Sequence, residues 1–283
     1  MTEPTDLFSG LTDRLRRLQA GEIEPAEPRH ASTVVMVRDG TAGPEVYLLR
    51  RSASMAFAAG AFVFPGGSMD PRDVDLADDA WVGRPPADWA THLSSDDSTA
   101  RALVCAAVRE TFEESGVLLA GADGDTVVED TSSDDWETDR LALIDRSLSF
   151  ADFLRRRGLV LRADLLQPWA HWLTPEIETR RFDTRFFVAA LPAGQRTRDV
   201  GGEADRVAWM RPANAVKGSE NGELMLMPPT ISALRDLSAY DSVAEILDAA
   251  AARNVSRILP KLIFDENDRL RFLLPHEPDY PKG

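Results

Sequence analysis

Two apolar runs rich in β-branched residues, 32–38 and 45–50, flank the turn-forming stretch Asp39-Gly40-Thr41-Ala42-Gly43, a pattern that predicts a β-hairpin. A third short strand over 61–64 stops at Pro65-Gly66-Gly67. From 99 to 115 helix breakers are absent, and Leu103, Val104, Ala107, Val108 and Phe112 form an apolar stripe. Ser98 can cap the start of that helix and Gly116 ends it. Residues 117–119 read as a buried strand. Residues 182–191 and 206–210 return to strand character, 229–252 predict two helices, and 258–274 predict a closing hairpin around Asn267-Asp268.

The remaining segments set the organisation. Residues 1–29 end in Glu22-Ile-Glu-Pro-Ala-Glu-Pro-Arg-His30, where proline and charge suppress regular structure, so a weak helix and a linker precede the folded part. Residues 70–97, rich in Asp, Pro and Ser, read as a surface excursion. Residues 121–175 pass from an acidic loop to helical patterns at 149–157 and 163–172, an inserted helical lid. The expected plan is a tail over 1–29 and one catalytic domain over 30–283, with insertions at about 70–97 and 121–180.

Composition narrows the class. Of 283 residues 43% are hydrophobic, enough for a sizeable core, while 32 basic against 47 acidic residues give a net charge of -15. That charge repels polyanions, so nucleic acid is a poor partner. Cys105 stands alone, which excludes an internal disulfide framework and a cysteine-based zinc cluster and points to a reduced, cytoplasmic setting. No run reaches bilayer length and the first residues lack an apolar signal core, so neither membrane nor secretion is expected.

The chemistry concentrates in Arg109-Glu110-Thr111-Phe112-Glu113-Glu114-Ser115-Gly116, where helical spacing puts Glu110, Glu113 and Glu114 on one side. By itself such a run is a solvated acidic helix end. Converging carboxylates repel one another, however, and a bound hard cation such as Mg2+ or Mn2+ relieves the repulsion. Arg109 can orient a glutamate by a bidentate contact.

The Gly66-Gly67 turn followed by R-E-x-x-E-E-x-G resembles the two halves of the Nudix box: glycine, five residues, glutamate, seven residues, then R-E-apolar-x-E-E-x-G-apolar. Thr111 occupies the first apolar position and Val117 the last. Between Gly67 and Arg109 lie 41 residues, so an insertion splits the motif; counting forward puts the box glutamate at Asp73, counting backward at Arg101. Arg51-Ser52, residues 60–67, Trp172-Leu-Thr-Pro175, Arg181-Phe-Asp-Thr-Arg-Phe-Phe187 and Met227-Pro-Pro-Thr230 are similar to the Nudix branch related to peroxisomal coenzyme A diphosphatases. Relatives in that branch tend to carry an arginine four residues after the serine, where this chain has Ala56.

The resemblance implies an α+β fold, the Nudix α/β/α sandwich with a mixed sheet, helical insertions and a C-terminal helical extension. It implies metal-dependent hydrolysis of a diphosphate in a small-molecule nucleotide derivative, coenzyme A or acyl-coenzyme A. Glu110, Glu113 and Glu114 would hold Mg2+ or Mn2+ with the Gly66 carbonyl, Arg109 would orient them, and Glu203 would hold metal or act as base. Arg51, Arg181 and Arg185 are the candidate substrate-binding arginines. Trp169 and Trp172 can stack on an adenine or pack a lid, and His171 reads as structural. Two rivals stay open: a hydrolase for ADP-ribose, NADH, a dinucleotide or a nucleotide sugar, and a non-catalytic Nudix-like binding or regulatory module, against which the intact glutamates speak. Nudix relatives are often homodimers, which leaves that assembly open.

Overall fold

The computed structural model describes residues 4–52, 58–198, 204–267 and 270–281, with side chains from residue 11 onward. Helix α1 (Pro4–Gln19) leads to strands β1 (Pro28–Gly40) and β2 (Gly43–Arg51), then β3 (Phe62–Val63) and β4 (Gly66–Ser68). Two 3-10 turns (Pro71–Asp75 and Asp78–Ala80), β5 (Trp81–Val82) and α2 (Pro86–Leu93) precede helix α3 (Asp97–Ser115). Next come β6 (Ala120–Gly121), α4 (Asp134–Ile144), α5 (Phe150–Arg157), β7 (Val160–Arg162), a 3-10 turn (Ala163–Leu165), β8 (Gln167–Leu173), β9 (Arg181–Ala190) and β10 (Ala204–Met210). Helices α6 (Pro212–Glu220), α7 (Pro228–Leu237) and α8 (Val243–Ala251) are followed by β11 (Arg257–Ile258), β12 (Lys261–Phe264) and β13 (Leu270–Leu273).

The chain forms two compact units. The larger comprises Ala31–Ala170 and Arg185–Val255. Its sheet runs β10-β2-β1-β9-β8, with β3 on β2 and β4 on β1. The predicted hairpin is present, with Val37 opposite Val46 and Gly40 opposite Gly43. Val34 to Val37 and Val46 to Leu49 are buried without alternation, so both faces of the sheet are covered, which is why these strands read as continuous apolar runs.

Helix α3 is buried on nearly every side from Ala102 to Phe112. Phe112 stacks on Phe153 of α5 at 5.4 Å and meets Trp136 of α4 edge-on at 6.2 Å. Asp96 caps the helix by accepting from the Thr99 amide, where Ser98 was expected, and Gly116 ends it at φ 73 as expected.

The smaller unit comprises Met1–His30, His171–Thr184 and Ser256–Gly283. Here Arg16 lies 5.2 Å from the Phe264 ring, Ile258 of β11 pairs in parallel with Trp172, and β12 and β13 form the closing hairpin with Phe264 opposite Leu270. Ile258 is thus outside the hairpin that was expected to begin with it, and Asp268 lies outside the described residues. His171 is bonded to Asp183 at 2.5 Å.

Three expectations are corrected. The segment 70–97 is more than a surface excursion: Trp89 of α2 is 1% exposed and packs edge-on against Phe187. The helix expected over 163–172 is a 3-10 turn followed by β8; Pro168 cannot donate a helical hydrogen bond, and a short buried apolar run does not distinguish helix from strand by period. Residues 117–119 are buried but outside any ladder, because the Gln195 side chain takes the partner strand's place, accepting from the Leu118 amide and donating to its carbonyl at 2.8 Å each.

Candidate active site

The glycine turn and the glutamate helix meet within the larger unit. Gly66 pairs with Thr33 of β1, and a side chain there would stand 2.4 Å from the Ser32 carbonyl oxygen, so only glycine lets β4 lie against β1. A Cβ on Gly67 would stand 2.6 Å from the Glu110 carboxylate, so this glycine opens the space the carboxylate fills. The buried Ser32 hydroxyl ties β1 to α3 by donating to the Leu103 carbonyl at 2.6 Å.

Arg109 is the hub. Its Nη1 donates to Glu110 at 2.8 Å and to Glu113 at 3.1 Å, its Nη2 to the Ser68 carbonyl at 3.0 Å, and its Nε and Nη2 to both oxygens of Asp73 at 3.1 and 3.0 Å. Asp73, where the forward count falls, thus faces Arg109, whereas Arg101, where the backward count falls, bonds the Leu76 carbonyl and Asp78. Asp73 also accepts from the Asp70 amide in the capping box that starts its 3-10 turn. Glu114 accepts from the Gly66 amide at 2.8 Å, which joins the two halves of the split motif directly.

Burial shapes the charges. It pushes Glu110 up to about 7 despite the neighbouring Arg109, and it raises Glu113 and Asp73 in the same direction. Burial works against the Arg109 charge too, yet Glu110, Asp73 and Glu113 together hold its pKa raised. Three carboxylates around one guanidinium leave net negative charge in a poorly hydrated place.

Among the described residues no three His, Cys, Asp or Glu side chains already stand in metal-holding geometry. Glu110 and Glu113 face Arg109, and Glu114 faces the Gly66 amide. The donor chemistry nevertheless fits a hard divalent cation: the oxygens are carboxylates left short of positive charge, and magnesium takes few protein ligands alongside waters and substrate phosphates.

The other candidates are placed as follows. Arg51 ends β2 opposite Ala204 of β10. Arg185 is buried, with its Nε on the Leu93 carbonyl at 3.0 Å. Arg181, in the smaller unit, is buried and donates to the Thr174 and Ala26 carbonyls at 3.0 and 2.9 Å. Both side chains are buried, so neither stands on a solvated strand face. Trp169 is fully buried beneath the Arg253 guanidinium, 4.4 Å from its ring, and packs against Tyr240. Glu203 and Ala56 lie outside the described residues. The anchoring of Arg109 by the Ser68 carbonyl had no signature in the sequence.

Similarity to known proteins gives the family. A family model described as the NUDT19 Nudix domain matches residues 84–237, more than half of the chain, including α3 and its glutamates. The crystal structure of a Nudix hydrolase from Alicyclobacillus acidocaldarius superposes with a TM-score of 0.69 at 30% identity, covering 79% of this chain and 96% of that one. The chain belongs to the Nudix hydrolases, in the family of the NUDT19 Nudix domain. Relatives include the acyl-coenzyme A diphosphatase NUDT19 of Xenopus laevis, 27% identical over 87% of this chain and 73% of its own length. The Homo sapiens protein of the same name is 28% identical over 90% of this chain and 81% of its own length. The fold is accordingly α+β, a mixed sheet with flanking helices, and the chain is an enzyme of the hydrolase class. Among the described residues no helix is long and apolar enough to cross a membrane.

Proposed function

We propose that this chain hydrolyses the diphosphate bridge of coenzyme A or acyl-coenzyme A with Mg2+ or Mn2+, giving a phosphopantetheine product and adenosine 3',5'-bisphosphate. The observation that carries the reading is the direct bond from the Gly66 amide to Glu114, which assembles the two halves of a split Nudix box around Arg109. The relatives named acyl-coenzyme A diphosphatases support the substrate class.

In this reading Glu110, Glu113 and Glu114 hold the metal with the Gly66 carbonyl, and Arg109 orients Glu110 and Glu113 by charge-assisted bonds. What a bound magnesium or manganese ion supplies is Lewis acidity toward the phosphates and a lowered pKa for water. Water oxygen bonds to one phosphorus, the bridging P–O bond breaks, and the bridging oxygen leaves on the other phosphate. Glu203, in the segment ahead of β10, is the proposed further ligand or proton acceptor. Arg51, at the end of β2 opposite Ala204 of β10, is the proposed phosphate contact, with Arg181 and Arg185 the other candidates. A reduced, cytoplasmic setting fits the single buried Cys105.

The test is a hydrolysis panel of coenzyme A, acyl-coenzyme A, ADP-ribose, NADH and diadenosine polyphosphates with each metal. The expected result is metal-dependent release of adenosine 3',5'-bisphosphate from coenzyme A derivatives. Much faster cleavage of ADP-ribose or NADH would overturn the substrate class and leave only the general diphosphatase activity.

A further inference from the structure

Helix α3 ends against groups from outside the box. The last carbonyls of a helix lack intrahelical donors, and here the missing donors come from later in the chain. Arg140 of α4 is 2% exposed, and its Nη1 donates to the Glu113 carbonyl at 2.6 Å. Its Nε and Nη2 grip Glu137 at 2.9 and 2.6 Å, which fixes the plane of the guanidinium. The Thr131 hydroxyl donates to the Gly116 carbonyl at 2.5 Å, and the Arg198 amide to the Ser115 carbonyl at 2.9 Å. A cation at a helix C-terminus also complements the helix dipole.

A buried ion pair is weak evidence for net stability, since apolar side chains of similar volume often serve as well. What an apolar residue at 140 could not supply is the bond to Glu113, whose backbone orientation determines where its carboxylate points. Glu114, the next residue, turns with it. We propose that Arg140 is a positioning residue for the diphosphatase site, holding the last turn of α3 so that Glu113 and Glu114 present their oxygens to a divalent cation. The inserted segment between α3 and β8 is then a brace behind the catalytic helix. This inference rests on the metal-site reading above.

The test measures Mn2+ binding to the full-length protein by electron paramagnetic resonance without substrate, alongside steady-state kinetics with coenzyme A. Arg140→Met should keep its near-ultraviolet circular dichroism yet bind Mn2+ about 10- to 100-fold more weakly, as loss of a group supporting a metal ligand does. Turnover should fall by a similar factor with KM for coenzyme A unchanged, and Arg140→Lys, which keeps a donor and the charge, should recover part of both. Wild-type Mn2+ affinity and turnover in Arg140→Met overturn the proposal. Should that variant fail to fold, Arg140→Gln, which has neither the charge nor the two-pronged grip on Glu137, carries the test: weaker Mn2+ binding is expected, and wild-type affinity overturns the proposal. Wild-type protein that binds no Mn2+ overturns the metal-site reading itself.

Discussion

Arg109 and Asp73, 36 residues apart, meet as a two-pronged buried ion pair, Nε to Oδ1 at 3.1 Å and Nη2 to Oδ2 at 3.0 Å. The pair closes the insertion that splits the box. Asp73 sits in a 3-10 turn whose first residue is fixed by proline and whose cap is Asp70, so the carboxylate reaches Arg109 from a short, rigid element.

Removing Asp73 should therefore cost stability as well as rate. Asp73→Ala leaves Arg109 buried with one anchor fewer, and breaking a buried pair from one side costs about 3–5 kcal/mol. The lower end is expected because Ser68, Glu110 and Glu113 remain bonded to the guanidinium. Asp73→Asn should lose less stability than Asp73→Ala, and less activity than Glu113→Gln or Glu114→Gln. Urea midpoints and turnover at saturating metal decide it; a midpoint unchanged in Asp73→Ala would show that the pair contributes nothing.

Much of this was legible in the residues. The hairpin, α3 and its glycine end, β9, β10 and the helix pair α7–α8 follow from period and breakers, and the two box halves from their resemblance to the Nudix motif. The box-glutamate position was ambiguous, since an insertion makes forward and backward counts disagree; the path of the chain brings Asp73, and not Arg101, onto Arg109. The strand β8 was misread because Trp169, Trp172 and Leu173 are apolar on both faces of a covered sheet, where alternation vanishes. Arg140 carried no signal: it is one arginine in an acidic helix, and its role depends on a carbonyl 27 residues away.

Glu113→Gln and Glu114→Gln should each lower turnover by at least about 100-fold, more than loss of an outer partner costs. The amide keeps the size and most packing of the side chain, so thermal unfolding should stay near that of the wild type. Turnover within a few fold of wild type in either variant would remove that residue from the metal site.

Substrate choice offers a separate check on Ala56. A guanidinium beside a phosphate adds charge-assisted bonds that alanine cannot make. Ala56→Arg should lower KM for coenzyme A while leaving that for ADP-ribose nearly unchanged. Equal shifts for both would mean that position 56 does not contact the feature that distinguishes them.

The last expectation concerns pH and metal together. Glu110, with an ordinary value of 4.5, is pushed up to about 7 by burial, and Glu113 shifts the same way. A carboxyl whose folded pKa lies above its unfolded value binds more protons when folded, so stability falls as pH rises from about 4.5 through about 7. Asp70 does not mask this slope: Arg72 holds it down at about 2 against an ordinary 3.8, so its stabilisation is complete above that value and lost only as pH falls through about 2. In chelator, urea midpoints should decline across pH 4.5–7, and millimolar Mg2+ should restore most of the loss at the upper end by neutralising the buried carboxylates. Glu110→Gln, uncharged throughout, should flatten the metal-free profile. A profile equally steep in that variant would assign the slope to other groups and separate the raised acidity of Glu110 from the stability of the site.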